Sequence, residues 1–292
     1  MPGSGSGSPS WQARLSIPGS PVCAPAWLAL REGADAVARA AELVDPVNVH
    51  LDGRPDPAVI RDLGCGTGSM GRWLAGRLRG PQVWLLHDRD PGLLALAADG
   101  LPDAAADGAS VTGQARQGDI TALDAAQLAG TSLVTASALL DILTADEVDK
   151  IAAACVGASC MALVTLTVTG SVDITPSDPL DAAFEAAFNA HQRRSAGGRR
   201  LLGPDAGAVA VDAFTRRGAA VSSRPSPWRL GADQAELIEE WLRGWIDAGC
   251  DQQPELAGPA GPYLSRRLDA CAAGELRVAV GHVDVLALPP SK

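Results

Sequence analysis

Val59-Ile60-Arg61-Asp62-Leu63-Gly64-Cys65-Gly66-Thr67-Gly68 carries the reading of the fold. A short β-branched run reaches an acidic residue and then three glycines spaced two apart. Without Cβ atoms, such a turn lets the backbone approach a ligand closely and adopt dihedrals other residues avoid. The segment 69–78 follows at once and predicts a helix whose first amides face the same ligand. Strand, glycine turn and helix in that order predict a nucleotide-like cofactor site.

Strand-like runs recur on either side of helical segments. They cover 58–63, 82–86, 110–117, 133–137 and 160–168, and the last is a nearly continuous apolar run expected to be covered on both faces. Helices are expected at 69–78, at 92–100 and from the capping box Thr144-x-x-Glu147 to about 156. Ahead of them, 26–44 reads as one amphipathic helix with Trp27, Leu30, Ala34, Val37, Ala38 and Ala41 on its apolar side, ended by Asp45-Pro46. Past Thr169 the regularity breaks. Helices are expected at 179–194, 205–217 and 232–248, the last with Trp241 and Trp245 as core packing, and strands at 219–223 and 276–288. The expected fold is α/β: a Rossmann-like, doubly wound, mostly parallel seven-stranded sheet. It has an N-terminal helix and helical insertions over the C-terminal strand ends, where such sheets bind ligands.

Composition narrows the function classes. The 292 residues are 47% hydrophobic and 20% charged, as in a soluble globular protein. A net charge of -10 gives no electrostatic footprint for nucleic acid. Arg193, Arg194, Arg199 and Arg200 are the local exception, read either as a solvated loop or as an arm for an anionic substrate. Six cysteines without a C-x-x-C pair fit neither a zinc site nor a disulfide framework, so reduced thiols and a cytoplasmic setting are expected. The opening Met-Pro-Gly-Ser-Gly-Ser-Gly-Ser lacks the regions of a signal peptide, and 1–12 reads as a disordered tail. No apolar run approaches the roughly 20 residues that span a bilayer.

Two registers compete for the glycine turn. Gly66-x-Gly68-x-x-Gly71 satisfies the dinucleotide fingerprint, which keeps an NAD(P)-dependent oxidoreductase among the alternatives. Asp62-x-Gly64-x-Gly66-x-Gly68, however, resembles the opening signature of class I S-adenosylmethionine-dependent methyltransferases. Asp88, Gly118-Asp119-Ile120 and Ser137-Ala138-Leu139 follow at the ends of the next three strands, in the order that family uses. The resemblance covers about 55–170.

It implies S-adenosyl-L-methionine as cofactor within one domain over 13–292, with 55–170 as the cofactor core and 171–204 and 228–275 as helical substrate caps. Asp62, Gly64, Gly66 and Gly68 would cradle the methionine part, Asp88 would meet the ribose, Asp119 and Ile120 the adenine, and Cys65 and Arg89 would be further cofactor contacts. Ser137 and Ala138 would lie beneath the cofactor, and Arg31 would cover its carboxylate. No Asn/Asp-Pro-Pro-Tyr element follows the fourth strand, which disfavours nucleic-acid and translation-factor substrates. The implied acceptor is a small molecule of specialised metabolism, methylated on O or N, with no metal, nucleic acid or membrane partner. A non-catalytic methyltransferase-like binding domain is the third alternative.

Methyl transfer from a sulfonium is an in-line displacement, so alignment and exclusion of water are the main tasks. A general base is needed only for a hydroxyl or a protonated nitrogen. His191, in the predicted cap helix, is the candidate base, with Asn189 and Gln192 as substrate contacts. His87 is expected to shape the cofactor pocket, and His282 to be a packed core residue. Arg61 sits at a commonly apolar strand position and needs a partner if buried, with nearby carboxylates as candidates.

Overall fold

The computed structural model describes residues 23–53 and 56–290, and the tail expected over 1–12 lies outside the described residues. In chain order, the first half runs α1 (Pro25–Ala38), α2 (Val44–Leu51), β1 (Ala58–Leu63), α3 (Ser69–Ala75), β2 (Gln82–Asp88), α4 (Pro91–Asp99), β3 (Val111–Gln117), β4 (Leu133–Ser137), α5 (Ala145–Gly157) and β5 (Met161–Thr175). The second half adds α6 (Asp181–Gln192), a short hairpin of β6 (Ser195–Ala196) and β7 (Arg199–Arg200), and α7 (Ala206–Thr215). It closes with β8 (Ala220–Pro225), β9 (Trp228–Leu230), α8 (Ala235–Gln252), α9 (Ala257–Ala272) and β10 (Arg277–Leu288).

The main sheet has the order β3-β2-β1-β4-β5-β10-β8, with β9 also paired to β10. β1 to β5 are mutually parallel, whereas β10 runs antiparallel to β5 and to both β8 and β9. Seven strands were expected and eight segments are found. β8 pairs with Val283–Leu288 and β9 with Val278–Val280, so the two lie end to end along one edge of β10. The extra segment is one interrupted edge strand and not a further layer of the sheet.

Three apolar clusters hold the layers together. Ile60, Trp84, Leu74 and Val47 pack one face of the sheet, and Leu63, Val134, Val164 and Phe214 pack the other. The third cluster sits under α6, α8 and α9, where Trp241 and Trp245 stack with ring centroids 5.1 Å apart and Phe184 stacks on Tyr263 at 4.8 Å. Such aromatic pairs add about 0.5–1.5 kcal/mol each beyond the area they bury. β5 supplies the floor of this third cluster. It runs to Thr175, past the end expected at 168, because Ser171-Val172-Asp173-Ile174 alternates polar and apolar and turns Val172 and Ile174 toward the helices.

Two local expectations fail for identifiable reasons. The single helix over 26–44 is two helices, because Asp284 Oδ2 accepts the Ala40 N–H at 2.8 Å and takes it out of the helical ladder. Pro46 lies in the first turn of α2, where its missing N–H is tolerated, so Asp45-Pro46 opens a helix and does not end one. Val37, assigned to the apolar side, is 88% exposed, while Trp27 and Asp35 are the buried residues of α1. Residues 257–272 form α9 despite Pro262 in the helix interior, a segment whose glycines and prolines hid it from a periodicity reading.

Candidate active site

The sheet order determines the layout of the site. β3, β2, β1 and β4 are neighbours, so Asp119, Asp88, Asp62 and Ser137 follow one another along the carboxyl edge. Three strand steps of about 4.8 Å make this row about 14 Å long, suited to an extended nucleoside bearing a tail. Over it lies a cavity of about 320 Å³. Its walls include Arg31, Asp62, Gly64, Cys65, Gly66, Asp88, Arg89, Asp119, Ile120, Ser137 and Ala138. The structure therefore brings together all the sequence-assigned cofactor residues except Gly68, which does not line the cavity.

The glycine turn closes on itself. Cys65 donates its N–H to His87 O at 2.9 Å, and Gly68 donates to Cys65 O at 2.8 Å. Gly64, Gly66 and Gly68 have φ of 62°, 55° and 87°, a region that L side chains rarely adopt. A Cβ on Gly64 would sit 2.9 Å from Leu139 Cδ1, and one on Gly68 would sit 2.9 Å from Ala97 Cα. The turn is thus a cradle that only glycine fits. On the far side Ala138 adopts φ 49°, held by its N–H to Thr165 O at 2.9 Å, and turns the chain away beneath the cavity.

The carboxylates have distinct environments. Asp62 is 1% exposed; its Oδ1 accepts the Thr135 hydroxyl at 2.7 Å and its Oδ2 is buried with no partner. Burial pushes Asp62 up to about 7, with the Thr135 hydroxyl opposing the shift. Asp88 is oriented by two backbone amides, Gly66 N–H to Oδ2 and Asp90 N–H to Oδ1, both at 3.0 Å. Asp119 accepts the Thr121 amide at 2.9 Å and its hydroxyl at 2.7 Å, which sets Ile120 at the cavity wall. Burial, then the neighbouring Asp62, pushes the Cys65 thiol far up, so it stays protonated and is no nucleophile.

The wall contributed by α1 carries Arg31, whose Nε and Nη2 grip Asp35 at 2.9 and 3.1 Å. Its guanidinium lies 5.1 Å over the Trp228 ring, and Trp228 Nε1 donates to Asp35 Oδ1 at 2.9 Å. Burial opposes the Arg31 charge, but Asp35 holds it above its ordinary value. Of the four arginines near 195–198, Arg199 reaches the cavity, fixed to Glu147 at 2.6 Å, while Arg193 pairs with Asp205 at 2.7 Å. Arg194 donates to the His191 carbonyl at 3.0 Å. Three of the four are pinned to the protein, unlike side chains of a solvated loop.

Several expectations are corrected. Arg61 has no carboxylate partner among the described residues: it donates to Thr131 Oγ1 at 2.9 Å, Gln127 O at 2.7 Å and His87 Nε2 at 3.2 Å. His87 therefore faces Arg61 and does not line the cavity, since strand alternation turns it opposite to Asp88. Burial, then Arg61, lowers His87 to about 4. His191, Asn189 and Gln192 also lie outside the cavity lining. Asn189 Nδ2 is committed to Gly170 O at 2.8 Å, and burial, then Arg194, lowers His191 to about 4, poorly matched to general-base work near neutral pH. His282 is buried as expected, against Trp228 at 5.4 Å.

Sequence reasoning missed Arg39. It is 3% exposed, and its Nη2 lies 3.1 Å from both Ser69 Oγ and Ser137 Oγ beneath the cavity. In sequence it is one more arginine in a helix, and its burial follows from the contact between Ala40 and Asp284, 244 residues apart.

No family model matches the chain, and no curated protein matches it in sequence. Solved structures align with it at low identity. A cyclopropane synthase from Mycobacterium tuberculosis is 14% identical over 84% of this chain and 82% of its own, with a TM-score of 0.43. Geranyl diphosphate methyltransferase with SAM is 12% identical over 95% and 94%, at 0.40. A SAM-dependent methyltransferase from Geobacter sulfurreducens with S-adenosyl-L-homocysteine is 14% identical over 91% and 98%, at 0.40. These values are too low to carry an activity from those proteins to this chain. Fold and site together define a Rossmann-like α/β protein with a cavity at the carboxyl ends of its strands, the place where such sheets bind ligands.

Proposed function

We propose that this chain is an S-adenosylmethionine-dependent methyltransferase that acts on O or N of a small molecule. The observation that carries the reading is the buried, unpartnered Asp62 Oδ2 in a glycine cradle beside Asp88 and Asp119. A buried carboxylate oxygen without a donor is costly and calls for a cationic or N–H partner. The ammonium of the cofactor's methionine part is such a group. A dinucleotide pyrophosphate offers no donor there and would be repelled, which disfavours the oxidoreductase reading.

When bound, the cofactor supplies an already activated methyl group on sulfur. Asp62 would hold the ammonium, Asp88 the ribose hydroxyls, and Asp119 with Ile120 the adenine. Leu28, Ile142 and Leu143 give the wall between α1 and β4 an apolar surface that excludes water. Orientation of this kind can supply roughly 7–11 kcal/mol of a barrier in favourable cases. With His191 outside the cavity, the reading favours an acceptor that reaches the site as a neutral amine or an ionised oxygen. The helices over 171–204 and 228–275 are assigned as the cap over that acceptor.

Six free cysteines fit a reducing, cytoplasmic setting, and among the described residues no helix is long and apolar enough to cross a membrane. Thermal melting tests the reading. S-adenosylhomocysteine at 100 times its Kd should stabilise the fold by about 2.7 kcal/mol, and NADH should not. Stabilisation by NADH alone would replace this reading with the oxidoreductase.

A further inference from the structure

Arg199 lines the cavity from outside the row of residues assigned to the cofactor, which ends at Ser137 on β4. The Gly197-Gly198 turn, with φ of 58° and 77°, folds β7 back on β6 so that Arg199 pairs with Ala196. Strand alternation then turns Arg199 inward, half-buried, and leaves Arg200 exposed. The chain here is tied down beside the loop that joins β4 to α5. Leu202 donates its N–H to Leu143 O at 2.9 Å, and Glu147, in the first turn of α5, holds the guanidinium.

That hold is one-sided. Arg199 Nε donates to Glu147 Oε1 at 3.1 Å and Nη2 donates to Oε2 at 2.6 Å, while Nη1 is buried without a partner among the described residues. Glu147 Oε2 also accepts the Thr144 N–H at 2.8 Å, so its charge is shared with the helix cap. A guanidinium carries its donors in a rigid fork, and a carboxylate on one edge fixes the other edge for a second anion. The loop beneath lines the cavity with Leu139, Ile142 and Leu143, all apolar. Asp35, the lining carboxylate on α1, is taken up by Arg31 and by Trp228 Nε1. This end of the cavity therefore combines an apolar wall with one positioned cation whose donors are not all used.

We infer that the methyl acceptor is an apolar small molecule bearing one anionic group, a carboxylate or a phosphate monoester, and that Arg199 is the specificity-determining residue that holds this group. The inference rests on the methyl-donor reading and deepens it by naming the class of acceptor. A charge-assisted hydrogen bond of this kind corresponds to a preference of at least about tenfold over a neutral isostere.

Matched ligands test it on the chain saturated with S-adenosylhomocysteine. Small aryl and alkyl carboxylates and phosphate monoesters, each paired with its primary amide or alcohol, are screened by saturation-transfer NMR, and the hits are titrated. Wild type should bind the anionic member of a pair at least about tenfold tighter, and the stronger of the two anion series identifies the group. In Arg199→Gln that preference should fall below about threefold, with S-adenosylhomocysteine affinity within about threefold of wild type. A residue that only secures β7 would weaken anionic and neutral members alike. Glu147→Gln/Arg199→Gln leaves neither charge unpaired and covers the case in which the single variant does not fold. A wild-type screen without anionic binders, a wild-type ratio near one, or a preference retained in a folded variant overturns the inference and leaves the methyl-donor reading intact. Failure of wild type to bind S-adenosylhomocysteine overturns both.

Discussion

Thr135 Oγ1 donates to Asp62 Oδ1 at 2.7 Å, and nothing among the described residues satisfies Oδ2 on the other side of the same carboxylate. β1 and β4 pair in register with Asp62 opposite Thr135, so this asymmetry is built into the strands themselves. The result is a carboxyl group poised between two protonation states, at about 7, in the protein without ligand.

Ligand binding should therefore displace a proton. A cationic partner favours the ionised carboxylate, so at pH 6 to 7 S-adenosylhomocysteine should release a fraction of a proton that grows as pH falls. Titration in buffers of different ionisation enthalpy measures it, and Asp62→Asn should remove it. Stability follows the same group. A carboxylate raised from 3.8 to about 7 contributes stability that is complete below its unfolded value and is lost as pH rises through 7. Between pH 4 and 7 the unliganded wild type should lose up to about 4 kcal/mol relative to Asp62→Asn. A pH-independent difference between the two would contradict this.

Asp88 can be separated from the fold by the conservative Asp88→Asn. The amide retains one acceptor oxygen, so either the Gly66 or the Asp90 amide keeps its partner. Loss of one charge-assisted contact at about 1.5–3 kcal/mol should weaken S-adenosylhomocysteine about 10- to 100-fold. Melting should fall by only a few degrees. Unchanged affinity in a titration would remove Asp88 from the ribose role.

His191→Ala should leave methyl transfer to the true acceptor within about threefold of wild type, because the imidazole does not line the cavity. Its neutral form is already secured by burial and Arg194. A loss of 100-fold or more in kcat with an intact fold, the scale of a lost general base, would restore His191 to the chemistry.

The glycine turn makes a stability prediction that needs no ligand. Gly68→Ala would force a Cβ to 2.9 Å from Ala97 Cα at φ 87°, and should cost about 1–3 kcal/mol in denaturant unfolding. Gly76→Ala is the control: φ is -73° and nothing lies within 4 Å, so stability should change by less than about 0.5 kcal/mol. Equal effects at the two sites would contradict the cradle.

What could be read from the chain follows a physical divide. β1, β2 and β4 were legible because each is a short run whose β-branched and apolar residues end at an acidic or small polar position, whereas β3, exposed at every position but Val111, is marked by the Gly118-Asp119-Ile120 that follows it. The row Asp62, Asp88, Asp119 and Ser137 along the cavity was legible because it lies at or just past the strand ends. The hidden features depend on partners distant in sequence. The break between α1 and α2 needs Asp284, the packing of α9 needs the aromatic cluster around Phe184 and Trp245, and the direction of His87 needs Arg61. Arg39 combines both difficulties, because neither its burial nor its contacts with Ser69 and Ser137 have any local signature.

The most direct test of the central claim is isothermal titration of the purified chain with S-adenosylhomocysteine and, separately, with NADH at pH 7.5. The account predicts one site for S-adenosylhomocysteine with micromolar or tighter Kd and no measurable heat with NADH. Saturable binding of NADH with none of S-adenosylhomocysteine would contradict it.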